Sequence, residues 1–250
     1  MRDIKDKLIV ALDVDTLEKA RHFVDVLYPT VKLFKIGSQL FTAYGPEAVK
    51  AIGEKGAKVF LDLKFHDIPQ TVFSGVVSGT GLSCNQVFIS RESLRIEREA
   101  KSATRYPVFM MTVHASAGME VLRSAMKGAV ERSGELDIER PLIVGVTVLT
   151  SENLGADTLR VVLERARNAK EAGLDGIVCS VHETEAVRKE FGDNFVIVNP
   201  GIRPKGAEVQ DQKRVATAAE ALKAGASYIV VGRPILEAPN PLAAVKNLLG

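Results

Sequence analysis

The 250-residue sequence contains no tryptophan, two cysteines and four histidines, and it has no long apolar run. Two cysteines cannot form a disulfide framework, and Cys179 lies in an apolar stretch where a buried, inert thiol is expected rather than a nucleophile. No apolar run approaches the roughly 20 residues that cross a bilayer, and the charged first residues do not read as a signal peptide. These absences predict a cytoplasmic protein with no membrane partner.

The numbers of basic and acidic residues are nearly equal, with 33 Lys and Arg against 31 Asp and Glu. Because the charges are interspersed, the sequence offers no basic face for nucleic acid. A hydrophobic content of 46% over 250 residues is sufficient for one large core. We therefore expect a single domain that acts on a small molecule.

Short β-rich runs alternate with amphipathic stretches along the whole chain. The predicted strands are residues 8–13, 31–36, 59–64, 108–113, 142–149, 176–180, 195–199 and 228–232. The predicted helices are residues 17–28, 47–54, 118–132, 158–172, 183–191, 216–224 and 242–249. Glycines at 56, 173 and 225 stand where helix C-terminal caps are expected. Eight strand–helix repeats with nearly continuous apolar strands predict a closed (β/α)8 barrel, the TIM-barrel fold of the α/β class.

The segment DLKFHDIPQT at 62–71 places charged residues directly after the predicted strand 59–64. Alternation along a strand puts Asp62 and Lys64 on one face, and Lys35 ends a neighbouring strand. Two charged side chains that point the same way from a strand end are costly to desolvate unless other charged groups pair with them. A surface salt-bridge ladder is one interpretation of this pattern. A preorganised charged array is the other.

The barrel fold favours the second interpretation, because active sites in such barrels lie at the C-terminal ends of the strands. The polar residues at these ends are Asp13, Lys35, Asp62, Lys64, His114, Thr147, Thr150, Ser180, Arg203 and Arg233. Two of the ends, Pro200-Gly201-Ile202-Arg203 and Gly232-Arg233, follow the last two strands, where this fold frequently binds phosphate. Their arginines can donate paired hydrogen bonds to phosphate oxygens.

The predicted array suits one kind of chemistry. A lysine between two carboxylates stays protonated, which makes Lys64 a poor general base and a good proton donor. An aspartate directed at a substrate anion disfavours the bound ground state by like-charge repulsion. Together these groups favour loss of an anionic group followed by protonation of the carbanion, the logic of a cofactor-free decarboxylase. The residues alone do not select a substrate.

The segment 62–71 resembles the signature of the orotidine 5′-phosphate decarboxylase family. The resemblance extends in the same order to Ala11-Leu12-Asp13, Phe34-Lys35-Ile36-Gly37, Val113-His114-Ala115-Ser116, Val146-Thr147-Val148-Leu149-Thr150-Ser151, Pro200-Gly201-Ile202-Arg203-Pro204 and Val231-Gly232-Arg233-Pro234. It implies removal of CO2 from orotidine 5′-phosphate to give uridine 5′-phosphate, in de novo pyrimidine synthesis, without metal or organic cofactor.

The resemblance also implies a role for each matching residue. Lys35, Asp62, Lys64 and Asp67 form the charged array, in which Lys64 protonates C6 of the pyrimidine and Asp62 lies against the departing carboxylate. Asp67 and Thr71 reach the active site of a partner subunit, which implies a homodimer with shared sites. The implied substrate contacts are Asp13 and Lys35 to the ribose, Thr150 to the pyrimidine, and Arg203, Gln212, Gly232 and Arg233 to the phosphate. His66 is interpreted as structural, and His114 and His182 have no catalytic role.

The sequence departs from the family pattern at two places. Residues 73–99 resemble an insertion, and their density of glycine and serine disfavours a continuous helix there. Residues 152–157 form a shorter connection than is usual after Thr150-Ser151, at the lid over the pyrimidine.

Two other functions remain open. The first is a Mg²⁺-dependent sugar-phosphate decarboxylase or aldolase of the same barrel superfamily, which shares an Asp-x-Lys-x-x-Asp core. Lys35 argues against it, because those enzymes resemble a pattern with a metal-ligating carboxylate at this position, and a lysine would repel the cation. The second is a non-catalytic nucleotide-binding barrel that retains only the phosphate site.

Overall fold

The computed structural model describes residues 4–83, 108–152, 154–204 and 214–249. Eight parallel strands close into a barrel in which each strand pairs with its sequence neighbours and the first pairs with the last. This arrangement confirms the predicted (β/α)8 fold. The strands are β1 (Leu8–Ala11), β2 (Leu33–Gly37), β3 (Lys58–Phe65), β4 (Val108–His114), β5 (Leu142–Val146), β6 (Gly176–Val178), β7 (Val196–Asn199) and β8 (Tyr228–Val231).

Helices follow the strands around the outside of the barrel. In the described ranges they are α1 (Leu17–Leu27), α2 (Ser38–Tyr44), α3 (Pro46–Gly53), α4 (Pro69–Gly81), α5 (Met119–Leu136), α6 (Thr158–Glu171), α7 (Val181–Phe191), α8 (Ala218–Ala224), α9 (Arg233–Leu236) and α10 (Pro241–Leu249). The three predicted capping glycines, Gly56, Gly173 and Gly225, all have positive φ, at 82°, 87° and 102°. No helix in these ranges is both long and apolar enough to span a membrane.

Helix α4 corrects the expectation that glycine and serine prevent a continuous helix after Thr71. The helix runs unbroken through Ser74, Gly75, Ser78 and Gly79 to Gly81. Its glycines allow close packing: a Cβ on Gly79 would lie 2.6 Å from the Met111 sulfur, and one on Gly75 would lie 2.9 Å from the Phe65 ring. Burial against the barrel therefore outweighs the low intrinsic helix propensity of these residues.

Because side chains alternate along a strand, each strand contributes to two environments, one outside the barrel and one inside it. Outward-facing side chains pack under the helices in a large apolar core. Inward-facing side chains fill the barrel itself with a smaller cluster made of Ile9, Ala11, Leu33, Phe60, Met110, Val144, Val198, Tyr228 and Val230. Two residues further along β2, β3 and β4, the inward positions become Lys35, Asp62 and Thr112. The barrel interior is thus apolar along the earlier part of these strands and polar at their C-terminal ends.

Candidate active site

A cavity of about 520 Å³ opens at the C-terminal ends of the strands. Its apolar wall is made of Ala11, Phe60, Val146, Val148, Leu149, Val178, Val198 and Val230. Its polar wall is made of Asp13, Lys35, Asp62, Lys64, Thr150, Arg203, Arg233 and Glu237, together with the backbone at Gly201 and Gly232. The cavity can therefore hold a flat apolar ring beside a set of fixed charges.

Asp62 is the centre of the charged wall and is 8% exposed. Its Oδ2 lies 2.8 Å from Lys64 Nζ and 3.5 Å from Lys35 Nζ. Lys35 Nζ in turn donates to Asp13 Oδ1 at 2.9 Å. Two carboxylates and two ammonium groups thus form one continuous chain across the cavity, with Asp62 bonded to both lysines. The alternative interpretation, a surface salt-bridge ladder, is wrong, because Asp62 and Lys35 have side chains only 11% and 12% exposed.

Lys64 reaches Asp62 by a route that differs from the regular alternation predicted from the sequence. Its φ is +51°, in the left-handed region that side chains rarely adopt. The register between β3 and β4 shifts here, since Leu61 pairs with Met111 and Phe65 pairs with Val113. The extra residues on β3 form an irregularity of the kind that redirects side chains beside active sites.

Thr112 on β4 holds this irregular backbone in place. Its hydroxyl accepts a hydrogen bond of 2.8 Å from the Lys64 backbone N–H and donates one of 3.0 Å to Asp62 Oδ1. Thr112 was not predicted from the sequence. The available signal was a hydroxyl residue inside the apolar run 108–113, at an inward position of a predicted strand.

The charges of the array hold one another ionised. Burial by itself raises the pKa of Asp62, but Lys35, Lys64 and the Thr112 hydroxyl outweigh burial and keep that pKa below its ordinary value. Burial by itself lowers the pKa of Lys35, but Asp62 and Asp13 outweigh it, so the pKa of Lys35 is raised. The site is therefore charged before any substrate arrives, as electrostatic preorganisation requires.

The same cavity is lined by the two predicted phosphate loops. Gly201 and Arg203 follow β7, and Gly232 and Arg233 follow β8. Arg203 is 7% exposed, so its guanidinium has little contact with bulk water. These four residues line the cavity together with the charged array, and their contact with a phosphate stays a prediction.

Two of the predicted site residues, Asp67 and Thr71, do not line the cavity of their own chain. Both are exposed at the start of α4. Gln212 lies outside the described residues. His66 lies beside His114, with ring centroids 5.0 Å apart and ring planes tilted by 37°. Burial, together with His66 and Lys64, lowers the pKa of His114.

Two further strand-end hydroxyls are structural. Thr147 donates to the Val178 carbonyl at 2.8 Å, and Ser180 caps α7. Cys179 is buried, and burial raises the pKa of its thiol to about 12, in agreement with the expected inert residue. Within the described residues, no cluster of three or more histidine, cysteine or acidic side chains is arranged to hold a metal ion.

Comparison with known proteins agrees with this geometry. The sequence model of the Orotidine 5′-phosphate decarboxylase / HUMPS family matches residues 6–83 and 96–248. The interval between the two matches falls within the insertion expected at 73–99, most of which lies outside the described residues, so the insertion stays a prediction.

Curated relatives match over nearly the full length. Orotidine 5′-phosphate decarboxylase of Moorella thermoacetica is 43% identical, across 98% of this chain and 91% of the relative. The protein of the same name from Syntrophomonas wolfei is 39% identical, across 98% and 97%. The crystal structure of orotidine 5′-phosphate decarboxylase from Lactobacillus acidophilus superposes with a TM-score of 0.74 at 32% identity and covers 97% of both chains. The chain therefore belongs to the orotidine 5′-phosphate decarboxylase family.

Proposed function

We propose that this chain removes CO2 from orotidine 5′-phosphate to give uridine 5′-phosphate, with Lys64 as the proton donor. The observation that carries the proposal is the Asp62 carboxylate bonded to two ammonium groups at the wall of a partly apolar cavity. Family membership supports the reaction class, and the array supplies the chemistry.

The proposed step balances without a cofactor. The bond between C6 of the pyrimidine and its carboxylate breaks, CO2 leaves, and the electron pair stays on C6. Lys64 Nζ then transfers a proton to C6, and water reprotonates the amine. Asp62 repels the substrate carboxylate in the ground state, while the ammonium of Lys64 stabilises the negative charge that develops on C6. The apolar wall limits competing proton donors.

The remaining polar groups would hold the substrate in position. Lys35 and Asp13 offer a donor and an acceptor to the ribose hydroxyls, and Thr150 offers a hydroxyl to the pyrimidine. Arg203 and Arg233 would hold the phosphate through charge-assisted hydrogen bonds. Binding energy from this remote phosphate can be used to position the reacting carbon. Gln212 belongs to the same proposed phosphate set.

A second copy of the chain would complete the proposed site. Asp67 and Thr71 are exposed, and Ile68 between them is 66% exposed, which is unusual for a large apolar side chain. Asp67 Oδ1 accepts the Ile68 backbone N–H at 2.6 Å, which fixes the carboxylate direction. A homodimer that buries Ile68 and presents Asp67 and Thr71 to the partner's cavity accounts for both features.

The experiment that tests the proposed reaction measures the loss of orotidine 5′-phosphate absorbance by the purified protein, with and without a metal chelator. We expect uridine 5′-phosphate and CO2 in equal amounts and the same rate in both samples. Absence of turnover would favour the non-catalytic nucleotide-binding barrel. Turnover that the chelator abolishes would favour the Mg²⁺-dependent alternative.

A subunit-mixing experiment tests the shared site. Lys64→Ala and Asp67→Ala homodimers are each expected to be inactive. After random exchange of equal amounts, half of the dimers are heterodimers, and each holds one of its two sites with wild-type Lys64 and Asp67, so about a quarter of the wild-type activity is expected to return. No recovery after verified exchange would place Asp67 in its own chain's site.

A further inference from the structure

The turn that carries Arg203 into the cavity is held from outside by the first turn of α7. At the entry to this turn, the buried Thr184 hydroxyl lies 3.0 Å from Asn199 Oδ1. The Asn199 amide group donates to the Cys179 carbonyl at 2.9 Å. Both Thr184 and Asn199 are fully buried. The last residue of β7 is thereby fixed to the chain that begins α7.

The described segment that begins at Arg214 is held by an ion pair. Arg214 Nη2 donates to Glu183 Oε2, next to Thr184 on α7. The side chains of Arg214 and Glu183 are only 9% and 7% exposed. Removing one partner of such a pair leaves the other as an uncompensated buried charge, which is strongly unfavourable. Arg214 therefore cannot leave Glu183 without a large cost.

Backbone hydrogen bonds connect Arg214 to the cavity. Ala216, two residues after Arg214, accepts the Arg203 N–H at 2.9 Å and donates to the Gly201 carbonyl at 3.3 Å. Ile202 and Ala216 form a parallel bridge. The position of Arg214 thus sets the position of Ala216, which in turn fixes the backbone on both sides of Ile202. Neither Glu183 nor Arg214 lines the cavity.

We propose that the Glu183–Arg214 ion pair is a positioning device that holds Arg203 in place to bind the substrate phosphate. This inference rests on the proposed function for the identity of the substrate. The pair itself does not contact the substrate in this proposal. The effect of the ion pair is confined to the phosphate end, because Lys35 and Asp62 lie on β2 and β3 whereas Arg203 follows β7.

The test compares Glu183→Gln with Glu190→Gln. Glutamine keeps the shape of residue 183 and removes the charge that Arg214 needs. Glu190 lies on the same helix in an exposed ion pair with Arg167, so its replacement controls for loss of a glutamate from α7. For both variants kcat and KM are measured with orotidine 5′-phosphate and with the phosphate-free nucleoside.

For Glu183→Gln we expect kcat/KM for the nucleotide to fall roughly 10- to 100-fold, mainly through a higher KM. The nucleoside value should stay within about twofold of wild type, since the nucleoside has no phosphate for Arg203 to hold. Glu190→Gln should match wild type with both substrates. An equal proportional loss for both substrates, or an unchanged nucleotide KM in folded protein, would overturn the proposal.

A second variant covers poor folding of the single one. Glu183→Gln/Arg214→Gln removes both charges and should show the same selective loss, because the single and the double variant break the same ion pair. If wild type turns over neither substrate, the proposed function fails, and affinity for inorganic phosphate decides the positioning role separately. Phosphate affinity of wild type should then exceed that of the double variant by roughly tenfold. Equal phosphate affinities would overturn the inference.

Discussion

Thr112 donates a hydrogen bond of 3.0 Å to Asp62 and receives one of 2.8 Å from the backbone N–H of Lys64. One hydroxyl on β4 thus fixes both the central carboxylate of the array and the strained backbone of the proposed proton donor. Catalytic groups work only when their supports hold them to within a fraction of an ångström. Thr112 is such a support.

Replacing Thr112 by valine keeps the side-chain shape and removes the hydroxyl. We expect kcat for orotidine 5′-phosphate to fall by about tenfold or more, because Lys64 loses the bond that fixes its backbone. Stability should fall by about 1–3 kcal/mol, since a buried N–H loses its acceptor. Steady-state kinetics and thermal unfolding measure the two effects.

Thr80→Val is the matched control. Thr80 is also buried, and its hydroxyl has no hydrogen-bond partner among the residues that the structure describes. This variant should keep wild-type kcat. Full activity in Thr112→Val would show that the hydroxyl bridge is dispensable.

Gly37 leaves space for the end of Lys35. A Cβ on Gly37 would lie 2.9 Å from Lys35 Nζ and 3.2 Å from Asp13 Oδ1. Gly37→Ala should therefore displace the ammonium group and lower kcat/KM by about tenfold, with little change in the melting temperature. Gly134→Ala, on an open helix surface with nothing within 4 Å, should leave activity unchanged. Equal activity in the two variants would contradict this account of Gly37.

The sequence was sufficient to predict the barrel, because the eight strand runs are apolar on both faces and are separated by amphipathic helices. It was insufficient for α4, where glycines that look like helix breakers are the residues that allow close contact with Met111 and Phe65. Helices α2 and α9 were also missed. Each begins directly after a strand-end glycine without a side-chain cap, so no local start signal marks it.

Residues of the candidate site at strand ends were predicted from the sequence, whereas a residue whose role depends on strand register was not. Asp62, Lys64 and Lys35 were found because charges at neighbouring strand ends must meet in a barrel. Thr112 was missed because its role depends on the register shift between β3 and β4, which no local pattern encodes. Asp67 and Thr71 do not line the cavity of their own chain, so the role proposed for them requires the proposed homodimer.

The charge state of Asp62 makes a prediction about stability at low pH. Because the fold lowers the pKa of Asp62, its ionised form stabilises the native state above about pH 4, and this contribution is lost as the pH falls further. The unfolding free energies of wild type and Asp62→Asn should differ at neutral pH and converge in acid. Denaturant unfolding at several pH values measures this difference.

Asp25→Asn is the comparison for that experiment. Asp25 forms an exposed ion pair with Lys55, so its replacement should cost less than about 1 kcal/mol. A wild-type to Asp62→Asn difference that grew toward low pH would contradict the expected direction.

Cys179 should resist alkylation in the folded protein. Burial raises the pKa of its thiol to about 12, so the reactive thiolate is scarce at pH 8. After treatment with iodoacetamide, peptide mass spectrometry should find Cys179 unmodified in native protein and modified in denaturant. Rapid labelling of the Cys179 peptide without unfolding would show that the thiol is accessible.

Lys64 is proposed to donate the proton to the substrate carbanion. The most direct measurement is kcat for orotidine 5′-phosphate in Lys64→Ala, beside Lys127→Ala, which removes an exposed lysine on α5. We predict that Lys64→Ala folds normally and loses at least about 10²- to 10⁴-fold in kcat, the usual contribution of a positioned proton donor, while Lys127→Ala retains wild-type kcat. A folded Lys64→Ala enzyme with near-wild-type kcat would contradict the account.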